Sequence, residues 1–72
     1  MERNPIRNSS NIAEAGYDAA ARVLEVMFFD GNIYWYFDVP ENVAQGLWNP
    51  PRGSPGEYFH AKIMGHYDYT KV

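Results

Sequence analysis

The sequence predicts a small single α+β domain: a three-stranded antiparallel meander, two short helices and a short C-terminal strand. Three observations carry that prediction. Two apolar runs, Val23 to Phe29 and Ile33 to Val39, flank Asp30-Gly31, a strong hairpin signal. Two proline-bearing helix starts follow, Asp38-Val39-Pro40-Glu41 and Ser54-Pro55-Gly56-Glu57. Tyr67 to Lys71 then alternates as a short strand does. With 72 residues the chain has room for one core.

Residues 1–10 read as an extended N-terminal arm, polar and interrupted by Pro5, and residues 11–72 as the domain. Ile12 to Tyr17 forms a first strand that closes on Gly16-Tyr17-Asp18. Asp18 to Arg22 is a turn, its three alanines too few to nucleate a helix. The hairpin leaves two registers open. A two-residue turn pairs Phe28 with Ile33 and Val26 with Trp35, making Trp35 core. A three-residue loop ending in a left-handed Gly31 pairs Val26 with Tyr34 and Leu24 with Tyr36, and sets Trp35 across from Glu25. The choice matters because a slip of one residue turns every side chain of the strand to the other face.

Asp38 is the expected cap of the first helix, with Pro40 in its first turn and Glu41 three after the cap. Val43 stacks on Leu47 and Ala44 on Trp48 at a spacing of four. Gly46 inside this helix costs about 1 kcal/mol against alanine. Pro50-Pro51 ends it. The second helix has the sharper signature, with a serine cap at Ser54, proline at its first position and Glu57 closing a capping box. Phe59 and Ile63 share its buried face, and Gly65 is the expected left-handed stop.

Composition narrows the function classes. Nine acidic against six basic residues give a net charge of −3 and no run of cations, which argues against duplex DNA as a partner. No apolar stretch is long enough to cross a membrane and no signal region opens the chain, so a cytoplasmic location is expected. Cysteine is absent, so disulfides and thiolate metal sites are unavailable. A domain this small then depends on aromatic packing or self-association, and a homo-oligomer is expected. The chain carries two Trp, six Tyr and four Phe, more ring surface than so small an interior holds.

No catalytic constellation emerges. Ser54, His60 and Asp68 could be arranged as a triad on paper, but Gly53-Ser54-Pro55-Gly56 is not a nucleophile elbow and Ser54 is explained as a cap. Glu57, His60 and His66 make a weak metal set, with Glu57 committed to the capping box. No catalytic residue, metal or cofactor is expected. Phe28, Tyr34, Tyr36, Phe59 and Tyr67 read as core. Trp35, Trp48, Arg52, Tyr58 and His60 are the candidate ligand-binding residues, because a ring beside a guanidinium stacks a base and holds a phosphate. Met64 falls near the same exposed side of the second helix.

The ordered landmarks Ser9-Ser10 with Ile12, Gly16-Tyr17-Asp18, Leu24/Val26/Phe28, Gly31, Tyr34-x-Tyr36 and Val39-Pro40 resemble the KTSC family. They continue with Ser54, Gly56, Tyr58-Phe59, Ile63, Tyr67 and Tyr69, so the likeness spans about residues 5–72. The family is named for a domain at the C-terminus of some lysyl-tRNA synthetases, has no established activity, and RNA binding is the role suggested for it. The resemblance implies a polar position between the two tyrosines, which favours the three-residue loop and an outward Trp35. Two departures stand out: His60 occupies a usual asparagine position, and Met64 replaces a basic residue, which weakens an RNA role. The expected function is therefore a non-enzymatic binder of a nucleotide-like small ligand. Its alternatives are a single-stranded RNA-binding module and a protein-interaction module.

Overall fold

The hairpin at Asp30-Gly31 sets the register of the two strands it joins. In the computed structural model, which describes residues 1–72, Phe28 N–H donates to the Asn32 carbonyl at 3.0 Å and Gly31 N–H donates to the Phe28 carbonyl at 2.9 Å. Gly31 has φ 91°, left-handed space that favours glycine. The Asp30 carboxylate accepts from the Asn32 backbone N–H at 2.9 Å and from its side-chain amide at 3.0 Å, fixing the loop. The loop is thus the three-residue form. Leu24 pairs with Tyr36, Val26 with Tyr34 and Glu25 with Trp35.

Five strands and two helices follow in order: β1 Asn4–Pro5, β2 Ile12–Asp18, β3 Val23–Phe28, β4 Ile33–Tyr36, α1 Glu41–Gln45, α2 Pro55–Lys62 and β5 Tyr69–Lys71. All neighbours are antiparallel in one sheet ordered β1-β2-β3-β4-β5. The expected three-stranded meander is its centre, and two short edge strands complete it. β1 escapes a sequence reading because it is two residues long and contains Pro5, tolerable only on an edge. Nearby Ile6, only 6% exposed, anchors the arm in the core. β5 pairs Tyr69 with Tyr36, Thr70 with Trp35 and Lys71 with Tyr34.

The helices cover one face of the sheet. Ile12, Ala15, Leu24, Val26 and Tyr36 meet Val39, Ala44, Leu47, Phe59 and Ile63 in a single core. Phe59 is its pivot, edge-on to Phe28 at 5.7 Å and to Tyr36 at 5.4 Å between ring centres. The capping box of α2 is complete: Glu57 N–H donates to Ser54 Oγ at 3.2 Å, and Ser54 N–H donates to Glu57 Oε1 at 3.0 Å. Gly65, at φ 81°, is the expected stop beyond it.

α1 departs from expectation at its start. Pro40 is the N-cap and no side chain caps it, because Asp38 sits at φ 58° and is turned out of the capping position. Backbone N–H groups of Val43 and Ala44 instead reach the Pro40 carbonyl at 3.1 and 3.0 Å. α1 stops at Gln45, before the expected Pro50-Pro51 end, with Gly46 as its C-cap, and position 46 is glycine for a packing reason. A methyl group there would overlap the ring of Tyr58, whose hydroxyl donates to the Val43 carbonyl at 2.7 Å.

Candidate functional site

Period-two alternation along β4 puts Tyr34 and Tyr36 on the helix-covered face, and β3 and β5 bring Phe28 and Tyr69 beside them. Phe28, Tyr34, Tyr69, Tyr36 and Phe59 form a closed circuit of rings. Successive centres lie 5.7, 6.0, 5.5, 5.4 and 5.7 Å apart. α2 ends too early to roof all of it. Beyond its last turn, Phe28, Tyr34, Tyr36 and Tyr69 line a hollow of about 330 Å³, bordered by Met64, Gly65 and the Asp30 loop. Tyr36 is 4% exposed and forms its inner wall, whereas Tyr69 is 61% exposed and Met64 43%, so the mouth opens to solvent.

The electrostatics of this hollow are those of neutral phenols with one carboxylate. Burial pushes the Tyr36 hydroxyl above its ordinary value, and neighbouring Tyr69 and Tyr34 add to the effect. Tyr36 therefore stays protonated, able to donate or accept a hydrogen bond. No lysine, arginine or histidine lines the hollow. Such a surface stacks planar groups and bonds to their edges without supplying positive charge for a phosphate.

The residues singled out from the sequence lie in four places. Trp35 is on the face of the sheet opposite the helices, where the N-terminal arm lies. Its indole N–H donates to Glu25 Oε2 at 2.7 Å, and Glu25 Oε1 accepts from Arg3 at 2.9 Å. Arg3 also pairs with Glu14 at 2.6 Å. Burial opposes the Glu25 charge, but the bonds from Trp35 and Arg3 outweigh it and hold the carboxyl below its usual range. Trp48 borders a separate hollow with Tyr17, Glu41 and Gln45, and its indole N–H is sealed from solvent without a partner. Arg52 and Tyr58 do share a shallow hollow with Lys62, but the Tyr58 hydroxyl is already bonded to Val43. His60 stands edge-on to Phe59 at 6.3 Å and borders a polar hollow with Ser10 and Asn11.

The aromatic hollow is thus built from Phe28, Tyr34 and Tyr36, which the sequence assigned to the core, together with Tyr69 of the last strand, Met64, the helix stop Gly65 and the turn residue Asp30. The available signal was the pair Tyr34-x-Tyr36 on one strand face, matched by Tyr69 on the final strand. No group of three His, Cys, Asp or Glu side chains is placed to hold a metal. No helix is long and apolar enough to cross a membrane.

Comparison with known proteins agrees with this architecture. The family model of the KTSC domain matches residues 8–67. A lysine–tRNA ligase of Trichormus variabilis is 38% identical over 63 residues, covering 88% of this chain and 11% of the ligase. The chain therefore spans about a tenth of the length of that relative. An uncharacterised protein of Stutzerimonas stutzeri is 35% identical over 65 residues, with 89% of each chain covered. The crystal structure of a KTSC domain protein from Yersinia pestis superposes with a TM-score of 0.88 at 34% identity, covering 99% of this chain and 96% of that one. On sequence and on fold alike, this chain belongs to the KTSC domain family.

Proposed function

We propose that this KTSC domain is a non-enzymatic binding module that stacks the planar base of a nucleotide-like small ligand in the hollow beyond α2. The observation that carries the reading is the grouping of four rings around an open space of about 330 Å³, within the range of small-ligand sites. Phenol hydroxyls at its wall suit the donor and acceptor edges of a base. The one carboxylate there is occupied by both nitrogens of Asn32, which leaves no paired nucleophile and base. Arg52 lies in a different hollow, so the arginine expected to grip a phosphate is not part of this site.

Titration with adenosine, guanosine, cytidine and uridine, followed by calorimetry and thermal shift, tests the reading. At least one nucleoside should saturate. Tyr69→Ala, at an exposed ring, should weaken it about 5- to 150-fold, since stacking on one ring is worth ~1–3 kcal/mol. A flat trace with every nucleoside refutes it. Self-association belongs to the same reading, because a 72-residue chain without cysteine has few other means of reinforcement. Sedimentation of a monomer at all concentrations removes that part.

A second reading has its own support. The matched ligases act, by their name, on tRNA, and an unpaired base of an RNA strand uses the same hollow. In that case an oligoribonucleotide binds more tightly than any nucleoside, with an affinity that falls as salt rises.

A further inference from the structure

Resting on that base-stacking reading, we propose that the hollow selects a positively charged, N-alkylated heterocycle over its neutral or phosphorylated counterpart. Ring faces carry negative charge density, and several rings around one space make an aromatic cage for a cation that has shed its water. Here Phe28, Tyr34, Tyr36 and Tyr69 surround the space, with neighbouring centres 5.4–6.0 Å apart around the circuit that Phe59 closes. The only formal charge on the wall is the Asp30 carboxylate. Asp30 is exposed at the mouth and holds its position through Asn32. The nearest cation by strand register is Lys71, opposite Tyr34, and it does not line the hollow.

The net charge of −3 adds a favourable long-range field for a cation and an unfavourable one for a phosphate. A neutral base gains only stacking from these rings. The same base with a fixed positive charge also gains the cation–ring attraction and the pull of Asp30. A nucleotide instead brings two negative charges to a mouth that already holds one carboxylate.

The test uses two isomers that differ in charge at neutral pH, N1-methyladenosine, a cation, and N6-methyladenosine, which is uncharged, with adenosine and AMP beside them. Calorimetry should find the cationic isomer about tenfold or more tighter than the neutral one, with AMP the weakest. Asp30→Asn, which removes the charge and keeps an acceptor for the Asn32 N–H, should narrow the ratio between the two isomers' affinities. Equal affinity for the two isomers overturns the proposal and leaves the base site standing. So does tightest binding by AMP that Lys71→Gln abolishes. If none of the four binds while cytidine or uridine does, the charge preference falls alone. If no nucleoside binds at all, both readings fall together.

Discussion

Replacing Gly46 by alanine should destabilise the protein, against the sign that helix propensity gives. The backbone at Gly46 has φ −60° and ψ −20°, right-handed helical space that alanine prefers. Propensity alone therefore favours Gly46→Ala by about 1 kcal/mol. The opposing effect is steric. A Cβ at this position falls on the outer end of the Tyr58 ring, and that ring is held in place by its hydroxyl's 2.7 Å bond to the Val43 carbonyl. Forcing a methyl into such a contact costs about 1–3 kcal/mol, and losing the hydrogen bond adds about 0.5–1.5 kcal/mol. The net effect is a loss of about 0.5–3.5 kcal/mol, or a fall in Tm of several degrees or more for a domain of this size. Urea unfolding of a double-mutant cycle isolates the cause. In a Tyr58→Ala background the obstacle is gone, and Gly46→Ala should become neutral or stabilising. The reasoning fails if Gly46→Ala stabilises the parent protein, or costs the same in both backgrounds.

Two further outcomes follow from the caps and charges. Ser54→Ala removes the acceptor for the Glu57 N–H and should cost about 1 kcal/mol in urea unfolding, whereas Asp38→Ala, which removes no cap, should cost no helix-capping energy. Glu25 has its carboxyl held below the ordinary 4.5 by Trp35 and Arg3, so its stabilisation is complete above that value and is lost as pH falls through the lower folded-state value. An acid titration followed by Trp fluorescence should show this limb of instability, and Glu25→Gln should flatten it.

The parts of this fold that follow from local chemistry were legible, and the parts set by where elements end in space were not. Ser54, Pro55 and Glu57 act on one another within a single turn, so α2 could be read from four residues. Asp30-Gly31 announced a hairpin but not its register, because the same dipeptide serves loops of either length. Gly31 at φ 91° and the Asp30–Asn32 bonds decide between them in the folded chain. Asp38 looks like a cap from its spacing to Glu41, yet its backbone at φ 58° turns it away. The hollow proposed as the binding site escaped the sequence for a related reason. Tyr34 and Tyr36 read as core residues and Tyr69 only as part of a short last strand, and the point where α2 stops, before Met64 and Gly65, leaves part of their surface unroofed. Hydrophobic pattern records which face a ring is on. It does not record whether the covering helix reaches that far.

The two tryptophans, both candidates for ligand contact in the sequence, should respond in opposite ways to the same substitution. Trp35 donates its indole N–H to a carboxylate that is itself 7% exposed, and hydrogen bonds to charged groups are worth about 1.5–3 kcal/mol. Trp35→Phe removes that donor and leaves Arg3 as the only remaining side-chain partner of Glu25, so a loss in this range is expected. Trp48 has its indole N–H sealed from solvent with no acceptor, and a buried donor left unpaired costs about 1–3 kcal/mol. Trp48→Phe removes that burden, and the smaller ring forfeits apolar contact worth about 1 kcal/mol at ~25 cal/mol per Å². The balance is a stability between unchanged and about 2 kcal/mol higher. Urea unfolding of the two variants at one protein concentration decides the matter. Should Trp48→Phe lose as much as Trp35→Phe, the Trp48 donor must be satisfied in solution, and repeating the comparison across protein concentrations distinguishes a partner subunit, whose contribution varies with concentration, from a bound water, whose contribution does not.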